Sequence, residues 1–406
     1  MTEWLTREQA LERLNVRPQT LYAYVSRGRI GMKPDEADPR RSQYRADDIA
    51  ALATRRDRGR SPQAIAESAI AWGEPAIATS ISTVLHGRLI YRGKDAVEFS
   101  ATATLEETAG LLWASGRPVS FASLTPSAAG QSGTPTAFAR LSALAAEGWP
   151  SLGRRPAMLQ QDGAAATSAL ATALGATPGS EPVHARLAQG WSVEDDGADL
   201  IRKALVLLAD HELNASTFAT RVVASTQAGL TSAILAGLGA LKGPLHGGAP
   251  GPVIEMLDAI EASGDATGWL SAEIAHGERI MGFGHRIYRV RDPRADALKA
   301  VVRQLGSRNE ASSKKMGSRL AFAETVEQAA LEVLRIAKPQ RSIQTNVEFY
   351  TALLLEAVGF PKEAFSNVFA AGRVAGWIAH AREQQATGRL IRPQSRYFGP
   401  VPDLVA

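Results

Sequence analysis

The first part of the chain carries two short apolar stripes separated by a turn, which predicts a pair of helices. Thr6 and Gln9 have the spacing of a capping box, and the apolar stripe of that helix consists of Leu5, Ala10, Leu11 and Leu14. Pro18 suits the first turn of a second helix, predicted over residues 19–27, and Gly28 stands at its C-terminal cap.

The segment after these helices predicts a wing. Residues 29–44 contain a glycine and two prolines, so they cannot be helical throughout and are predicted to form a short hairpin. Helical spacing returns over residues 46–56. Two helices, a tight turn and a basic wing are typical of a winged helix-turn-helix. We therefore predict such a module over residues 1–57 and a linker and entry segment over residues 58–78.

The remainder of the chain, residues 79–406, is predicted to be mainly α-helical. Residues 79–91 are the exception, because their β-branched and apolar content predicts a short hairpin. From Leu105 onward almost every periodic stretch has helical spacing. A clear helical stripe is made by Phe322, Val326, Ala330 and Val333.

Composition narrows the possible functions. The 406 residues contain no cysteine, which excludes a disulfide framework, thiolate metal sites and a cysteine nucleophile. Basic residues exceed acidic ones by four, and the whole excess lies in residues 1–60, which suggests an anionic partner for the N-terminal module. With no signal pattern and no apolar stretch long enough to span a bilayer, we expect a soluble, cytoplasmic protein without membrane contact.

Two familiar motifs are incomplete. His211 and Glu212 begin like a zinc-protease helix, but Ala215 stands where the second histidine would be. The glycines around Gly239 match neither a dinucleotide fingerprint nor a phosphate-binding loop. The sequence therefore predicts no bound metal.

Two histidines and one carboxylate stand out by their neighbours. His246 and His285 are flanked by glycines, which let backbone and imidazole approach a ligand closely, and Glu348 lies at the start of a helical stretch. Two imidazoles and a carboxylate are suited to act as acid, electrophile and base. The alternative is that each histidine is a hydrogen-bonded core residue, and spacing alone leaves both interpretations open.

Three arginines form a second group of candidate functional residues. Arg294 closes an Asp-Pro-Arg turn, Arg373 lies in a Gly- and Ala-rich helical stretch, and Arg392 precedes a proline. Forked guanidinium groups bind carboxylates bidentately, so three of them near one cavity would suit a di- or tricarboxylate. Solvated surface positions are the alternative for most other arginines.

Taken together, these passages resemble the citrate synthase family. Six motifs arrive in family order: HELNAST, GPLHGGA, GFGHRIYRVRDPRA, NVEFY, GRVAGWIAH and IRP. The resemblance begins near Thr79 and is loose over residues 120–195. It implies an all-α homodimer in which a small helical domain closes over substrate bound to a large one. The implied reaction condenses acetyl-CoA with oxaloacetate to citrate and CoA, with the CoA thioester as substrate and no permanently bound cofactor.

The resemblance implies how oxaloacetate would be held. His211 and His285 would contact it, and His285 would donate a proton to its carbonyl oxygen. Its carboxylates would be bound by Arg294, Arg373 and, from the partner subunit, Arg392.

The resemblance also implies how the acyl-CoA would be activated. His246 would hydrogen-bond the thioester oxygen, Arg289 would meet a CoA phosphate, and Glu348 would be the base. The family usually has aspartate at this last position, and the longer side chain moves the carboxylate. Either the site has readjusted and is active, or it favours another acyl-CoA or is slow, or it has drifted toward ligand binding. The nearest rival enzyme is a 2-methylcitrate synthase that uses propionyl-CoA.

Two further histidines, His276 and His380, lie on helical stretches away from the catalytic positions. We predict that both are structural.

The N-terminal module resembles the helix-turn-helix of the MerR and excisionase type. That resemblance implies groove contacts from Gln19, Thr20, Tyr22 and Tyr24. It implies phosphate contacts from Arg27, Arg40, Arg41 and Arg45. The alternatives are a packing or dimer role, or a DNA-binding regulator whose body only senses ligand. A pure sensor would not need His246, which argues against the last of these.

Overall fold

A computed structural model describes residues 3–14, 16, 18–26, 30–35, 38, 41–50, 76–123, 132–193, 195–243, 246, 250–284, 292–306, 311–360, 362–393, 395 and 399. The chain divides into two units, one made of Met1–Ile77 with Arg392–Ala406 and the other of Ala78–Ile391. The helix predicted over residues 46–56 is present over 46–50, and its remainder and most of the predicted linker lie outside the described residues. None of the described helices is both long and apolar enough to cross a membrane.

In its described residues, the first unit contains three helical segments, the last of them over 46–50, and a three-stranded antiparallel sheet. Its elements are β1 (Trp4–Leu5), α1 (Arg7–Leu14), α2 (Pro18–Ser26), β2 (Met32–Pro34) and β3 (Ser42–Arg45), with β3 between the other two strands. The predicted capping box is present, since Thr6 N–H donates to Gln9 Oε1 (2.9 Å) and Gln9 N–H donates to Thr6 Oγ1 (3.3 Å). The unit has its own buried core of Leu5, Ala10, Leu14, Leu21, Ile30, Tyr44, Ala46 and Ile49.

The second unit begins with a small antiparallel sheet. Its strands are β4 (Ser82–Leu85), β5 (Arg88–Tyr91) and β6 (Lys94–Asp95), paired in that order. The hairpin predicted over residues 79–91 is therefore confirmed, and it carries a third strand.

The other regular elements described in this unit are helices, as predicted. They are α3 (Ala96–Ser100), α4 (Leu105–Leu112), α5 (Thr134–Glu147), α6 (Pro156–Ala173), α7 (Val183–Gly190), α8 (Asp195–Leu208), α9 (Ala215–Ser225), α10 (Leu230–Leu241), α11 (Pro250–Ser263), α12 (Ala266–Ala275), α13 (Pro293–Gly306), α14 (Ala311–Ala337), α15 (Val347–Ala357) and α16 (Phe365–Thr387), with a 3₁₀ turn at Lys362–Ala364.

The last helix, α16, lies at the centre of the second unit. It packs against α4, α6, α8, α9 and α10, and every residue from Asn367 to Ala381 is buried. A helix that is buried on all sides has no solvent-facing stripe. Any polar side chain on this stretch must therefore be satisfied inside the protein.

Helices α11 to α15 pack on one another: α15 contacts α11 and α13, and α14 contacts α12 and α13. The predicted stripe on α14 is confirmed as core, because Val326, Ala330 and Val333 are buried and Phe322 is half-buried.

Candidate active site

His246 is held by the beginning of α9. Its Nε2 accepts a hydrogen bond from the backbone N–H of Ser216 (3.3 Å) and lies 2.7 Å from Ser216 Oγ. Because a backbone N–H can only donate, Nε2 is unprotonated and the neutral ring carries its proton on Nδ1. Burial, together with the positive charge of Arg373, lowers the pKa of His246 to about 4. His246 is therefore a neutral imidazole with a defined tautomer.

The serine beside His246 is itself fixed. Trp377 on α16 donates its indole N–H to Ser216 Oγ (3.1 Å). Asn214, the N-cap of α9, accepts from the backbone N–H of Thr217 (3.0 Å), and its Oδ1 lies 2.8 Å from Ser216 Oγ. The start of α9 is thus a rigid support for the imidazole.

Glu348 is the second residue of α15. Its Oε2 is buried and has no hydrogen-bond partner among the described residues. Burial raises the pKa of Glu348 above its usual value, although the charges of Arg294 and Arg373 oppose that rise. A carboxylate that is buried and incompletely bonded is a strong candidate for a general base.

Arg294 is buried and paired with Asp292. Asp292 Oδ1 accepts from Arg294 Nε (3.0 Å), and Oδ2 accepts from Arg294 Nη2 (2.8 Å) and from the backbone N–H of Val347 (3.2 Å). Val347 directly precedes Glu348 in the chain. The ion pair therefore joins the beginnings of α13 and α15 next to the proposed base.

Arg373 is the second buried arginine of this region. Its Nε donates to Leu208 O (2.7 Å), and its guanidinium lies 4.8 Å from the centre of the Phe369 ring. Burial lowers the pKa of Arg373 to about 10, a value at which it is still a cation at neutral pH.

The loop that carries His211 is clasped by the β4–β5 hairpin. Ser82 Oγ donates to the carboxylate of Asp210 and accepts from Glu212 N–H (3.1 Å). Glu212 Oε1 accepts from Val84 N–H (2.8 Å). Glu212 has a φ of +50°, a left-handed conformation that costs a non-glycine residue about 1–2 kcal/mol. These bonds offset that strain and hold buried His211 in place.

A second tight junction precedes the position of His285. Asn346 N–H donates to Gly282 O (3.0 Å), and Gly284 N–H donates to Gln344 O (2.7 Å). Gly282 has a φ of +81°, and a Cβ there would lie 2.8 Å from the Phe349 ring, so only glycine fits. The junction fixes Gly284, the residue before His285 in the sequence, beside the start of α15.

Glu327 on α14 supports α15 from within the core. Thr345 Oγ1 donates to its Oε1 (2.6 Å), while Tyr350 OH (2.6 Å) and Lys299 Nζ (2.7 Å) donate to its Oε2. Burial alone would raise the pKa of Glu327, but these donors outweigh it and lower the pKa. Glu327 therefore stays ionised and braces the chain on both sides of Glu348.

A family model described as "Citrate synthase, C-terminal domain" matches residues 153–394. The chain belongs to the citrate synthase family.

The sequence matches between this chain and its relatives in the family cover only part of each protein. The chain is 44% identical to "Putative citrate synthase 2" of Mycobacterium tuberculosis over 222 residues, which are 54% of this chain and 57% of that protein. It is 39% identical to "Citrate synthase 2" of Bacillus subtilis over 202 residues, 50% of this chain and 51% of that protein. The aligned region thus spans a little over half the length of these curated citrate synthases.

Solved structures of citrate synthases match more of the chain. The enzyme of Thermotoga maritima has a TM-score of 0.63 and 30% identity, over 82% of this chain and 96% of that one. The Thermoplasma acidophilum citrate synthase, solved as a ternary complex with carboxymethyl coenzyme A and oxaloacetate, has a TM-score of 0.67 and 25% identity, over 85% of this chain and 98% of that one. The mainly helical citrate synthase fold predicted from the sequence is confirmed.

Several predicted site residues of this citrate synthase family member lie close together. The charges of Arg294 and Arg373 act on Glu348, and the charge of Arg373 acts on His246. His285 and Arg289 lie outside the described residues, and Arg392 is exposed.

His380, which we predicted to be structural, is buried and bonded to its neighbours. It lies 3.3 Å from Asp210, the residue before His211. Sequence reasoning missed Asp210, Asp292 and Glu327. Asp210 directly precedes His211, and Asp292 lies two residues before Arg294. This nearness in the sequence is the only signal that could have found them.

The predicted DNA-contact residues of the first unit differ in how far their side chains are exposed to solvent. Tyr22 is exposed, Arg41 is exposed beside Asp38, and Thr20 is half-buried. Tyr24 packs against the core of this unit, so its ring contributes to folding. The side chains of Gln19, Arg27 and Arg40 lie outside the described residues.

Proposed function

We propose that this protein is a citrate synthase that condenses acetyl-CoA with oxaloacetate. The observation that carries the proposal is that the charge of Arg373 acts both on a neutral imidazole, His246, and on a buried and incompletely bonded carboxylate, Glu348. The acetyl methyl of a thioester is a weak carbon acid. A carboxylate base removes its proton efficiently only where a preorganised donor stabilises the developing enolate oxygen.

The first step follows from this geometry. Glu348 takes a proton from the acetyl methyl as His246 Nδ1–H donates a hydrogen bond to the thioester oxygen, which gives the enolate of acetyl-CoA. Arg289 would hold a CoA phosphate. Because the His246 tautomer is set by the Ser216 backbone, no proton rearrangement precedes this step.

Carbon–carbon bond formation comes second. The enolate carbon attacks the carbonyl carbon of oxaloacetate, and His285 donates a proton to the carbonyl oxygen. His211, Arg294, Arg373 and the partner subunit's Arg392 would hold the substrate. Water then cleaves the thioester of the resulting citryl-CoA to citrate and CoA. A closed site would protect acetyl-CoA from hydrolysis before condensation.

A CoA-release assay with oxaloacetate tests the proposal. Wild type is compared with Glu348→Gln, and acetyl-CoA with propionyl-CoA. We expect release with acetyl-CoA and a loss of about 100-fold to 10,000-fold in kcat for Glu348→Gln, since glutamine cannot accept the proton. A faster reaction with propionyl-CoA would favour a 2-methylcitrate synthase. A Glu348→Gln enzyme as active as wild type would remove this residue from the mechanism.

The family resemblance also leads us to infer a homodimer, in which Arg392 completes the partner's site. Trp149 and Leu152, on the turn before α6, are each 75% exposed, and exposed apolar pairs of this kind are typical of interfaces. Light scattering should give twice the chain mass. Trp149→Asp with Leu152→Asp should lower that mass, whereas Leu85→Asp, an exposed apolar residue on the β4–β5 hairpin, should leave it unchanged.

For the first unit we propose a winged helix-turn-helix that binds DNA. Support comes from its surface chemistry. On α2, the ring of exposed Tyr22 lies 5.5 Å from the Arg7 guanidinium, and on the sheet the Trp4 ring lies 5.1 Å from Lys33 Nζ and 5.9 Å from the Arg45 guanidinium. Cations positioned by aromatic rings are suited to phosphate contacts.

Retention of duplex DNA on a gel at low salt tests this assignment. Lys33→Gln with Arg45→Gln should weaken retention and reduce the salt slope by about one to two. The matched control is Arg335→Gln, which removes an exposed arginine of α14 paired with Glu332. Equal retention by all three proteins would reject the DNA-binding assignment.

A further inference from the structure

Asp210 and His380 form a buried pair at the edge of the candidate active site. Asp210 lies between the end of α8 and His211, and His380 lies on α16. Neither residue is exposed to solvent. His380 Nε2 is 3.3 Å from Asp210 Oδ2, and His380 Nδ1 is 2.9 Å from Nη1 of Arg221 on α9.

The tautomer of His380 is set by Arg221. A guanidinium N–H can only donate, so Nδ1 of His380 accepts and the proton of the neutral ring lies on Nε2, facing Asp210. Arg221 is oriented in turn by Glu383 Oε2 (2.8 Å) and Gln384 Oε1 (3.1 Å). The donor that meets Asp210 is thus aligned by a chain of buried bonds along α16.

Asp210 also packs directly against the backbone of α16. Gly376 N–H donates to Ala209 O (3.1 Å), and a Cβ on Gly376 would lie 2.3 Å from Asp210 Oδ1. The missing side chain lets the carboxylate approach the helix. Gly376 and His380 lie about one and two turns after Arg373, so the contacts to Asp210 and the buried arginine share one face of α16.

The negative charge of Asp210 acts on Arg373. Two buried guanidinium groups, Arg294 and Arg373, repel each other across the site, and that repulsion is costly in a buried environment. Asp292 offsets the charge of Arg294 through direct bonds, and Asp210 offsets that of Arg373 at longer range. Oδ1 of Asp210 has no hydrogen-bond partner among the described residues, so no donor there neutralises the charge on this oxygen.

We propose that Asp210 and His380 are positioning residues for the binding of oxaloacetate. His380 holds the carboxylate of Asp210, which fixes the backbone of His211 and supplies the counter-charge that keeps Arg373 ready for a substrate carboxylate. This inference rests on the proposed function and adds to it two residues that do not touch the substrate.

Two variants of His380 separate the two bonds that the ring makes. The amide of His380→Asn can accept from Arg221 near the Nδ1 position but cannot reach Asp210. The longer His380→Gln can place a donor near the Nε2 position. We expect His380→Asn to weaken oxaloacetate binding by about tenfold to a hundredfold, the usual effect of losing a hydrogen bond to a charged group. His380→Gln should stay within about threefold of wild type.

The measurements are oxaloacetate affinity by calorimetry, and KM for each substrate together with kcat. In His380→Asn, KM for oxaloacetate should rise while KM for acetyl-CoA stays constant. His276→Asn is the matched control, because His276 is an exposed histidine at the end of α12, and it should match wild type throughout. If His380→Asn folds poorly, Asp210→Asn removes the charge without changing shape and should show the same rise in KM.

The outcomes are distinct. Wild type that binds no oxaloacetate rejects both the proposed function and the positioning role. Wild type that binds oxaloacetate, with His380→Asn and Asp210→Asn binding equally well, rejects the positioning role alone. If His380→Asn and Asp210→Asn lower only the fraction of active enzyme and leave both KM values unchanged, the pair stabilises the fold and has no positioning role.

Discussion

The backbone N–H of Ser216 donates to Nε2 of His246 over 3.3 Å, and this single bond decides which nitrogen of the imidazole carries the proton. The donor that remains, Nδ1–H, belongs to a ring that burial keeps neutral. A neutral imidazole is a weaker acid than an imidazolium, so it stabilises an enolate by hydrogen bonding without giving up its proton.

We therefore expect no ionisation of His246 in the activity profile. With a pKa of about 4, the ring is neutral at every pH above about 5. Replacing it by alanine should lower kcat by about 100-fold to 1,000-fold, the effect of removing one oxyanion donor, with unchanged affinity for oxaloacetate. The test is kcat against pH for both enzymes. An ionisation near ~6.5 that disappears in His246→Ala would contradict the neutral ring.

Glu348→Gln should make the protein more stable while it abolishes activity. Because burial raises the pKa of Glu348 in the folded protein, this side chain favours the folded state at low pH, and that contribution is lost as pH rises through the folded pKa. The variant cannot ionise, so its advantage in free energy of unfolding should grow with pH and vanish in acid. Denaturant unfolding of both proteins across this range measures it. A constant difference would mean that charge burial is not the cause.

Much of the fold follows from local sequence patterns. The capping box of Thr6 and Gln9 and the hairpin at residues 79–91 were predictable because neighbours in the chain determine them. The two-residue strand β1 was not, since only its pairing with β3 defines it. No period can be read from two residues.

The active site divides in the same way. Ordered motifs pointed to His246, Glu348 and the arginines, whose chemistry is visible in their residue type. The residues that hold them were not visible, because each acts on a partner remote in sequence: His380 meets Asp210 170 residues away, and Glu327 meets Tyr350 from another helix. Residue type alone shows which groups can react. The partners that align those groups are distant in the sequence, so only the structure shows them.

Gly376 gives a direct test of how closely α16 packs. Gly376→Ala would place a Cβ 2.3 Å from Asp210 Oδ1 and 2.4 Å from Ala209 O, so backbone must move. We expect a loss of about 1–3 kcal/mol in free energy of unfolding from this overpacking. Gly239→Ala in α10 is the control, because a Cβ there meets nothing within 4 Å. It should gain about 0.5–1 kcal/mol from the better helix propensity of alanine. Equal effects at the two positions would contradict the packing explanation.

Glu327→Gln should lower both stability and kcat without changing oxaloacetate affinity. The amide replaces one oxygen that accepts from Lys299, Thr345 or Tyr350, so a buried cation or hydroxyl loses its acceptor. We expect a loss of about 2–3 kcal/mol in free energy of unfolding. We also expect about a tenfold fall in kcat, because the chain around Glu348 is less firmly placed.

The control for Glu327→Gln lies one turn away on α14. Glu324 pairs with Arg303 (2.8 Å) and Lys299 (3.5 Å) in a more exposed position, so Glu324→Gln should cost less than about 1 kcal/mol and leave kcat unchanged. The two variants also differ in pH dependence. Since the folded pKa of Glu327 is lowered, its contribution is present at neutral pH and is lost as pH falls through that value. Denaturant unfolding at neutral and acidic pH should therefore show the Glu327→Gln deficit shrinking in acid, and a kcat equal to wild type would show that Glu327 does not position the base.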